Sequence, residues 1–325
     1  MKKIEDYIEL AQKAVEGISY PPQPSGLYEP IVYALSNGGK RLRPALLLAA
    51  CDAVGGDSAC AASQAAAIEM YHNFTLLHDD VMDKADLRRG KPTVCAKYGE
   101  NAAILSGDTM LSIASDLVVK GVEPEKAIAL LSLFNKMAVE VYEGQQYDME
   151  FENRQDVTID EYIEMIRLKT SVLLGCASRM GAMIGNGSQL QCDSLCDFAI
   201  NLGLAFQLQD DLLDVYGDPA VFGKAIGGDI MNNKKTFLLI NAQLLAKGEL
   251  KQELDYWLNN PNPFPGEKIA AITAIYNRLK IDEICRESIA RYNALALQSL
   301  KEAQLTAEAE AFFGEFDKMI MGRNK

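Results

Sequence analysis

Histidine is almost missing from this sequence, with two in 325 residues, and tryptophan occurs once. So few histidines leave no material for a histidine-rich metal centre or for several Ser/His or Cys/His catalytic pairs. Basic charge is in the minority: 32 Lys and Arg stand against 45 Asp and Glu, giving a net charge of −13. That balance argues against a general nucleic-acid or anionic-membrane binder. The longest apolar run, Ala45–Cys51, is far too short to span a bilayer. The N-terminus, Met1-Lys2-Lys3-Ile4-Glu5-Asp6, turns acidic at once and develops no apolar signal region. Seven cysteines scattered from Cys51 to Cys285 form no compact disulfide framework, and they suggest a reducing cytoplasm. Walker, Rossmann and Gly-x-Ser-x-Gly patterns are all lacking, which argues against nucleotide chemistry and a hydrolase triad.

What is present reads as helix. Hydrophobic residues make up 49% and charged residues 24%, enough for a sizeable core. Prolines crowd at Pro21–Pro30 and at Pro261–Pro265 but none falls between Glu125 and Asp218, a stretch rich in Ala, Leu, Met, Glu and Gln. Ile4, Ile8, Ala11 and Val15 mark one helical stripe; Ile159, Ile163, Ile166 and Thr170 mark another, with Thr158 and Glu161 placed as a capping box. Gly181 and Gly185 lie four apart, a spacing that lets a second helix approach closely. Trp257 reads as packing. The expectation is a single all-helical domain over 1–325, with loops at about 18–30, 84–97, 217–232 and 259–266 and almost no strand.

Two acidic clusters stand out, each closing an apolar helical pattern. Asp79-Asp80-Val81-Met82-Asp83 follows Ile68, Tyr71, Phe74 and Leu77; Asp210-Asp211-Leu212-Leu213-Asp214 follows Leu202, Ala205, Phe206 and Leu208. Asp79 and Asp83 share a helix face, as do Asp210 and Asp214, with Gln207 one turn earlier. Like charges at that spacing repel, so two such ends call for a counter-charge. Carboxylate oxygens suit a hard cation such as Mg²⁺, which also keeps waters and substrate phosphates.

Basic clusters lie beside the acidic ones. Gly38-Gly39-Lys40-Arg41-Leu42-Arg43 offers three cations on a permissive backbone, and Arg88-Arg89-Gly90-Lys91 offers three more close to Asp86. Lys169-Thr170 sits mid-chain; Lys224, Lys234 and Lys235 follow the second acidic cluster. Arg binds phosphate through a planar fork and Lys as a point charge, so the pattern points to a small, multiply charged anion held partly through metal. Glu69-x-x-His72 spells half of a di-iron motif, but His78 has Thr75 three residues before it, so no second half exists. His72 is then either a donor to a phosphate or a core histidine.

At these residues the sequence resembles the trans-prenyl diphosphate synthases. Gly38-Gly39-Lys40-Arg41, His72, Asp79-Asp80-x-x-Asp83, Arg88-Arg89-Gly90, Gly144-Gln145-x-x-Asp148, Lys169-Thr170, Gln207-x-x-Asp210-Asp211-x-x-Asp214, Lys224, Asp229 and Lys234 appear in the family's order. Beyond about Tyr276 no motif matches. The resemblance implies an all-α isoprenoid synthase bundle around a deep central cavity, usually a homodimer, with the six aspartates holding about three Mg²⁺ ions, for which Mn²⁺ can substitute. It implies that Arg88, Lys169, Thr170, Gln207, Lys224 and Lys234 hold the allylic diphosphate, and that Lys40, Arg41, His72 and Arg89 hold that of isopentenyl diphosphate. Asp148 would add to the metal site or its surroundings. Asp79, Asp83, Lys169, Asp210 and Lys224 would carry the catalytic ionisation, and the leaving diphosphate would take the final proton.

The implied reaction is a Mg²⁺-dependent, head-to-tail, all-trans condensation giving a fifteen- or twenty-carbon diphosphate. Five residues of helix put Phe74 roughly 7–8 Å below Asp79, and Tyr71 about another 4–5 Å down on the same face. In the family an aromatic at Phe74's position goes with short products. A class I terpene cyclase, a head-to-head synthase or a non-catalytic subunit of a heteromeric synthase are the rival readings. The isopentenyl set counts against the first two, and the six intact aspartates against the third.

Overall fold

The structure, a computed structural model, describes residues 1–217 and 226–322. Chain order gives α1 (Ile4–Glu16), α2 (Ser25–Ser36), α3 (Leu42–Ala53), α4 (Ala62–Met82), β1 (Leu87–Arg88), β2 (Lys91–Pro92), α5 (Val94–Tyr98), α6 (Glu100–Val119) and α7 (Pro124–Asn153). There follow α8 (Ile159–Ile166), a π-helical turn (Arg167–Ser171), α9 (Val172–Ile184), α10 (Gln189–Tyr216) and α11 (Gly228–Met231). The last elements are α12 (Phe237–Leu245), α13 (Glu249–Asn259), α14 (Pro265–Leu279), α15 (Ile281–Glu302) and α16 (Ala307–Met321). Among the described residues, strand is confined to the antiparallel pair β1–β2, in register Leu87 with Pro92 and Arg88 with Lys91.

Helix therefore dominates, as the composition implies, and the expected loops need trimming. The early proline stretch closes sooner than its expected end at 30: Pro24 caps α2, and Pro30 lies inside that helix, in its second turn. The 84–97 loop is tightened by the two-residue hairpin and the start of α5. Asn186 ends α9 in a left-handed conformation at φ 62°, one of the few non-glycine types that tolerates it. Thr158 and Glu161 do form a reciprocal capping box, Thr158 Oγ1 accepting from Glu161 N at 3.2 Å and Glu161 Oε2 accepting from Thr158 N at 2.8 Å.

The chain divides into two compact units. The first comprises Met1–Met137, Leu173–Cys196 and Glu302–Phe312. Its centre is α4, buried on nearly every side, with the small Ala65, Ala66 and Ala67 among its buried residues, and packed most extensively on α6. The Gly181 and Gly185 spacing has its expected effect against α3: a Cβ at Gly181 would lie 2.0 Å from the Leu47 carbonyl oxygen, and one at Gly185 2.5 Å from that of Cys51. Helix α6 is long and apolar enough to cross a membrane by length and composition, but its Ala103, Ser106, Gly107, Met110 and Ala114 are buried within this unit.

The second unit comprises Ala138–Val172, Asp197–Lys301 and the chain from Phe313. Its core joins Tyr162, Met165 and Ile166 of α8, Leu204, Leu208 and Leu212 of α10, Phe237–Ile240 of α12, Ile272 and Tyr276 of α14, and Cys285 of α15; Trp257 packs at its margin. The seven cysteines are free thiols.

Candidate active site

In the first unit, α4 delivers the first acidic cluster at its C-terminus, with Asp83 as its C-cap. That end of a helix carries the negative pole of the macrodipole, so three carboxylates there are electrostatically unfavourable without a cation. Asp80 is turned inward, 4% exposed, and accepts from Arg88 Nε at 2.8 Å. Burial raises the Asp80 carboxyl above its ordinary range, with Arg88 opposing. Asp83 is exposed and Asp79 partly so.

Cations gather one to two turns up the same helix. Gly38 (φ 81°) and Gly39 (φ 147°) make a turn that side-chain-bearing residues rarely adopt. Arg89, itself at φ 53°, folds across it and donates to the Gly38 carbonyl, and a Cβ on Gly39 would lie 3.1 Å from Arg89 Nη1. Lys40 lies exposed on this turn. Arg43, in the first turn of α3, brings Nη1 to 3.4 Å from His72 Nε2. The His72 imidazole is held well below its ordinary pKa by burial, then by Arg43, Arg89, Arg88 and Arg41. Arg43 at the imidazole and Arg89 at the neighbouring turn make an electropositive place, to which Arg88 and Arg41 add from their ion pairs with Asp80 and Glu69. A cavity of about 30 Å³ lies next to it, lined by Asn73, Asp80, Arg88 and Arg89 among others.

Arg41, which the resemblance gives to isopentenyl diphosphate, is turned inward. Arg41 is buried, ion-paired with Glu69, and donates from Nε to Gln12 Oε1 at 2.8 Å and from Nη2 to the Leu35 carbonyl at 2.6 Å. Arg43 is the arginine at His72. Deeper on α4, Tyr71 and Phe74 are buried, their ring centroids 5.5 Å apart, with Phe134 stacked edge-on to Tyr71 at 5.2 Å. Phe74 also meets the His78 ring at 4.7 Å. That ring fills the space left by Gly107, where a Cβ would lie 2.2 Å from His78 Nε2.

In the second unit, α10 delivers the second acidic cluster, again at a C-terminal end. Here too the second aspartate is turned inward: Asp211 is 4% exposed and accepts from the Tyr162 hydroxyl and, at 3.4 Å, from Phe237 N. Burial pushes the Asp211 carboxyl up to about 7, opposed by Tyr162 and reinforced by Asp229. Asp214 Oδ2 accepts from Asp229 N at 3.0 Å.

Lys169 lies in the π-helical turn, a distortion that re-aims side chains and recurs at functional sites. Its Nζ donates to Asp148 Oδ2 at 2.5 Å. Burial works against the ionised Asp148, yet Lys169 and Lys234 hold its carboxyl below the ordinary carboxylate range. Thr170 Oγ1 and Gln207 Oε1 are 3.3 Å apart. Gly144 lets α7 touch this turn, since a Cβ there would lie 2.3 Å from Lys169 N. Lys224 lies outside the described residues.

No group of three or more His, Cys, Asp or Glu is poised as a self-sufficient metal cage among the described residues. The donor chemistry nonetheless fits Mg²⁺, which takes one or two carboxylates and completes its shell with water and substrate phosphates.

Known proteins resemble this chain over most of its length. A geranylgeranyl diphosphate synthase of Methanosarcina mazei is 40% identical over 74% of this chain and 76% of its own. One of Saccharolobus solfataricus is 38% identical over 85% and 83%. A geranylfarnesyl diphosphate synthase of Natronomonas pharaonis is 36% identical over 72% and 74%. The crystal structure of a geranylgeranyl pyrophosphate synthase matches at TM-score 0.93, 40% identity and full coverage of both chains. That of the Pyrococcus horikoshii synthetase matches at 0.85 and 33%, over 98% and 96%. Residues 24–277, carrying every motif above, match the polyprenyl synthetase family, and the chain belongs to it.

Proposed function

We propose that this chain condenses an allylic prenyl diphosphate with isopentenyl diphosphate, head to tail, and that its main product is the twenty-carbon geranylgeranyl diphosphate. The observation that carries the reading is the electropositive cluster about His72, set on the same helix as the first aspartate cluster. One needs a multiply charged anion and the other a hard cation, and a prenyl diphosphate with Mg²⁺ satisfies both. What supports that length is similarity to geranylgeranyl diphosphate synthases, together with an aromatic pair, Phe74 and Tyr71, before Asp79 on α4.

In this reading Asp79, Asp83, Asp210 and Asp214 are the Mg²⁺-binding carboxylates, while Asp80 and Asp211 anchor their helix ends. Mg²⁺ held by these carboxylates would supply the positive charge that a departing diphosphate needs. Lys169, Lys234, Arg88, Thr170 and Gln207 donate to that diphosphate, and Asp148 holds the Lys169 ammonium in place. Lys40, Arg43, His72 and Arg89 hold isopentenyl diphosphate; neutral His72 offers a ring N–H without adding a fixed charge. The departing diphosphate takes the final proton, so the chain needs no separate side-chain base. Seven free thiols suit the cytoplasm. Exposed Leu105 (59%) and Ile128 (73%) in the first unit suit a homodimer contact.

The test is incubation with Mg²⁺, labelled isopentenyl diphosphate and each allylic primer, with products separated by length. The expected main product has twenty carbons, and Phe74→Ala should give longer ones. No isopentenyl-dependent elongation would refute the reading; unchanged lengths in Phe74→Ala would remove Phe74 from the length-setting wall.

A further inference from the structure

Glu69 is the one residue of the Glu-x-x-His motif that the reaction leaves unused. It is 3% exposed and sits one turn before His72 and Asn73 on α4. A carboxylate so deeply buried is costly unless paired and hydrogen-bonded. Its partner is Arg41, and Asn73 Nδ2 donates to Glu69 Oε1 at 3.0 Å and to the Glu69 carbonyl at 2.8 Å.

The other end of the pair is strained. Arg41 caps α3 in the left-handed region, at φ 49°, which few residues with a side chain adopt. Such a conformation persists only where the surroundings over-determine it. Here Glu69, Gln12 and the Leu35 carbonyl take the guanidinium at its Nη1, Nε and Nη2 atoms. That leaves it poorly placed to serve a ligand as well. Yet the residues on both sides of Arg41 belong to the anion cluster: Lys40 precedes it, Arg43 follows by two, and Arg89 folds over Gly39.

We propose that Arg41 and Glu69 are a buried positioning pair. They hold the α3 cap in its left-handed turn and so set Lys40, Arg43 and Arg89 around the isopentenyl diphosphate. Arg41 does not itself touch that diphosphate. The inference rests on the isopentenyl assignment made above, and it deepens it by dividing ligands from the residue that orients them.

Three variants separate the roles: Glu69→Gln, Arg41→Met and the double variant Arg41→Met/Glu69→Met. Steady-state kinetics give KM for isopentenyl diphosphate and for the allylic primer, and calorimetry gives the affinity for inorganic diphosphate without Mg²⁺. Glu69→Gln keeps Arg41 and the side-chain shape. It should raise KM for isopentenyl diphosphate about tenfold, with the allylic KM within about twofold. Arg41→Met leaves a buried carboxylate unpaired and should be worse. The double variant, an apolar pair of similar size, should recover most of the loss.

An unchanged isopentenyl KM in Glu69→Gln would overturn the proposal, as would a lowered melting temperature with both KM values intact. So would a double variant no better than Arg41→Met, because a direct ligand cannot be replaced by methionine. If the wild-type protein elongates nothing, the isopentenyl assignment fails. The pair is then judged on inorganic diphosphate alone, whose affinity should fall about tenfold in Glu69→Gln; unaltered affinity overturns it there.

Discussion

His72 shows at the scale of one residue how electrostatics and function meet. Burial, and then four arginines, depress its folded pKa, whereas the unfolded chain titrates at about 6.5. Above that pH both states are neutral and the residue contributes nothing to the pH dependence. Below it the unfolded chain takes up a proton that the folded one refuses, so stability should fall as pH drops from about 6.5 towards 5. The slope from this group is at most about 1.4 kcal/mol per pH unit. With two histidines in the chain, NMR can follow each ring directly. In the free protein one ring should stay neutral well below pH 6.5, and inorganic diphosphate should raise its pKa. An ordinary titration for both rings would contradict the cluster geometry. The sequence disclosed the ingredients of this cluster but not their division of labour. In Lys40-Arg41-Leu42-Arg43 nothing local says which arginine turns inward, because that depends on a left-handed Arg41 and on Glu69 28 positions away. The inward turn of Asp80 and Asp211 was hidden for the same reason: their partners, Arg88 and Tyr162, are set by tertiary packing.

Elements were easier to read where their signals are local. The Thr158–Glu161 box and the Gly181/Gly185 notch work within one turn or one helix contact, and both stand as read. The π-helical turn at Arg167–Ser171 left no such mark, since Leu168, Lys169 and Thr170 fit an α-helix equally well. What maintains it against α7 is Gly144, and this gives a sharp test. A Cβ at Gly144 would lie 2.3 Å from Lys169 N and 2.8 Å from the Leu168 carbonyl carbon, both backbone atoms that cannot rotate away. Gly144→Ala should cost about 1–3 kcal/mol by overpacking, and it should weaken allylic primer binding by shifting Lys169 off Asp148. Gly314, within α16, meets nothing within 4 Å, so Gly314→Ala should instead stabilise by about 0.5–1 kcal/mol. Thermal melts of the two variants should move in opposite directions; an upward shift in both would show that helix propensity outweighs the Gly144 contact.

Across the whole molecule acidic residues outnumber basic ones, 45 to 32, and six of the aspartates sit where helices can least afford them, at the C-terminal ends of α4 and α10. In isolation each of these ends repels itself. In the proposed reading Mg²⁺ relieves that repulsion and diphosphate meets the cations, so the folded state should gain stability by binding. A ligand at a hundred times its dissociation constant stabilises the folded state by about 2.7 kcal/mol, and at a thousand times by about 4.1. Melting followed by circular dichroism should therefore shift upward by several degrees with Mg²⁺ and inorganic diphosphate together, and less with either alone. EDTA should abolish the Mg²⁺-dependent part of the shift and leave the rest. Asp79→Ala and Asp210→Ala should each lower the Mg²⁺-dependent shift while remaining folded, because each deletes a carboxylate that the proposed reading gives to the cation. A Mg²⁺-dependent shift left unchanged in both variants would remove these aspartates from the cation's ligands.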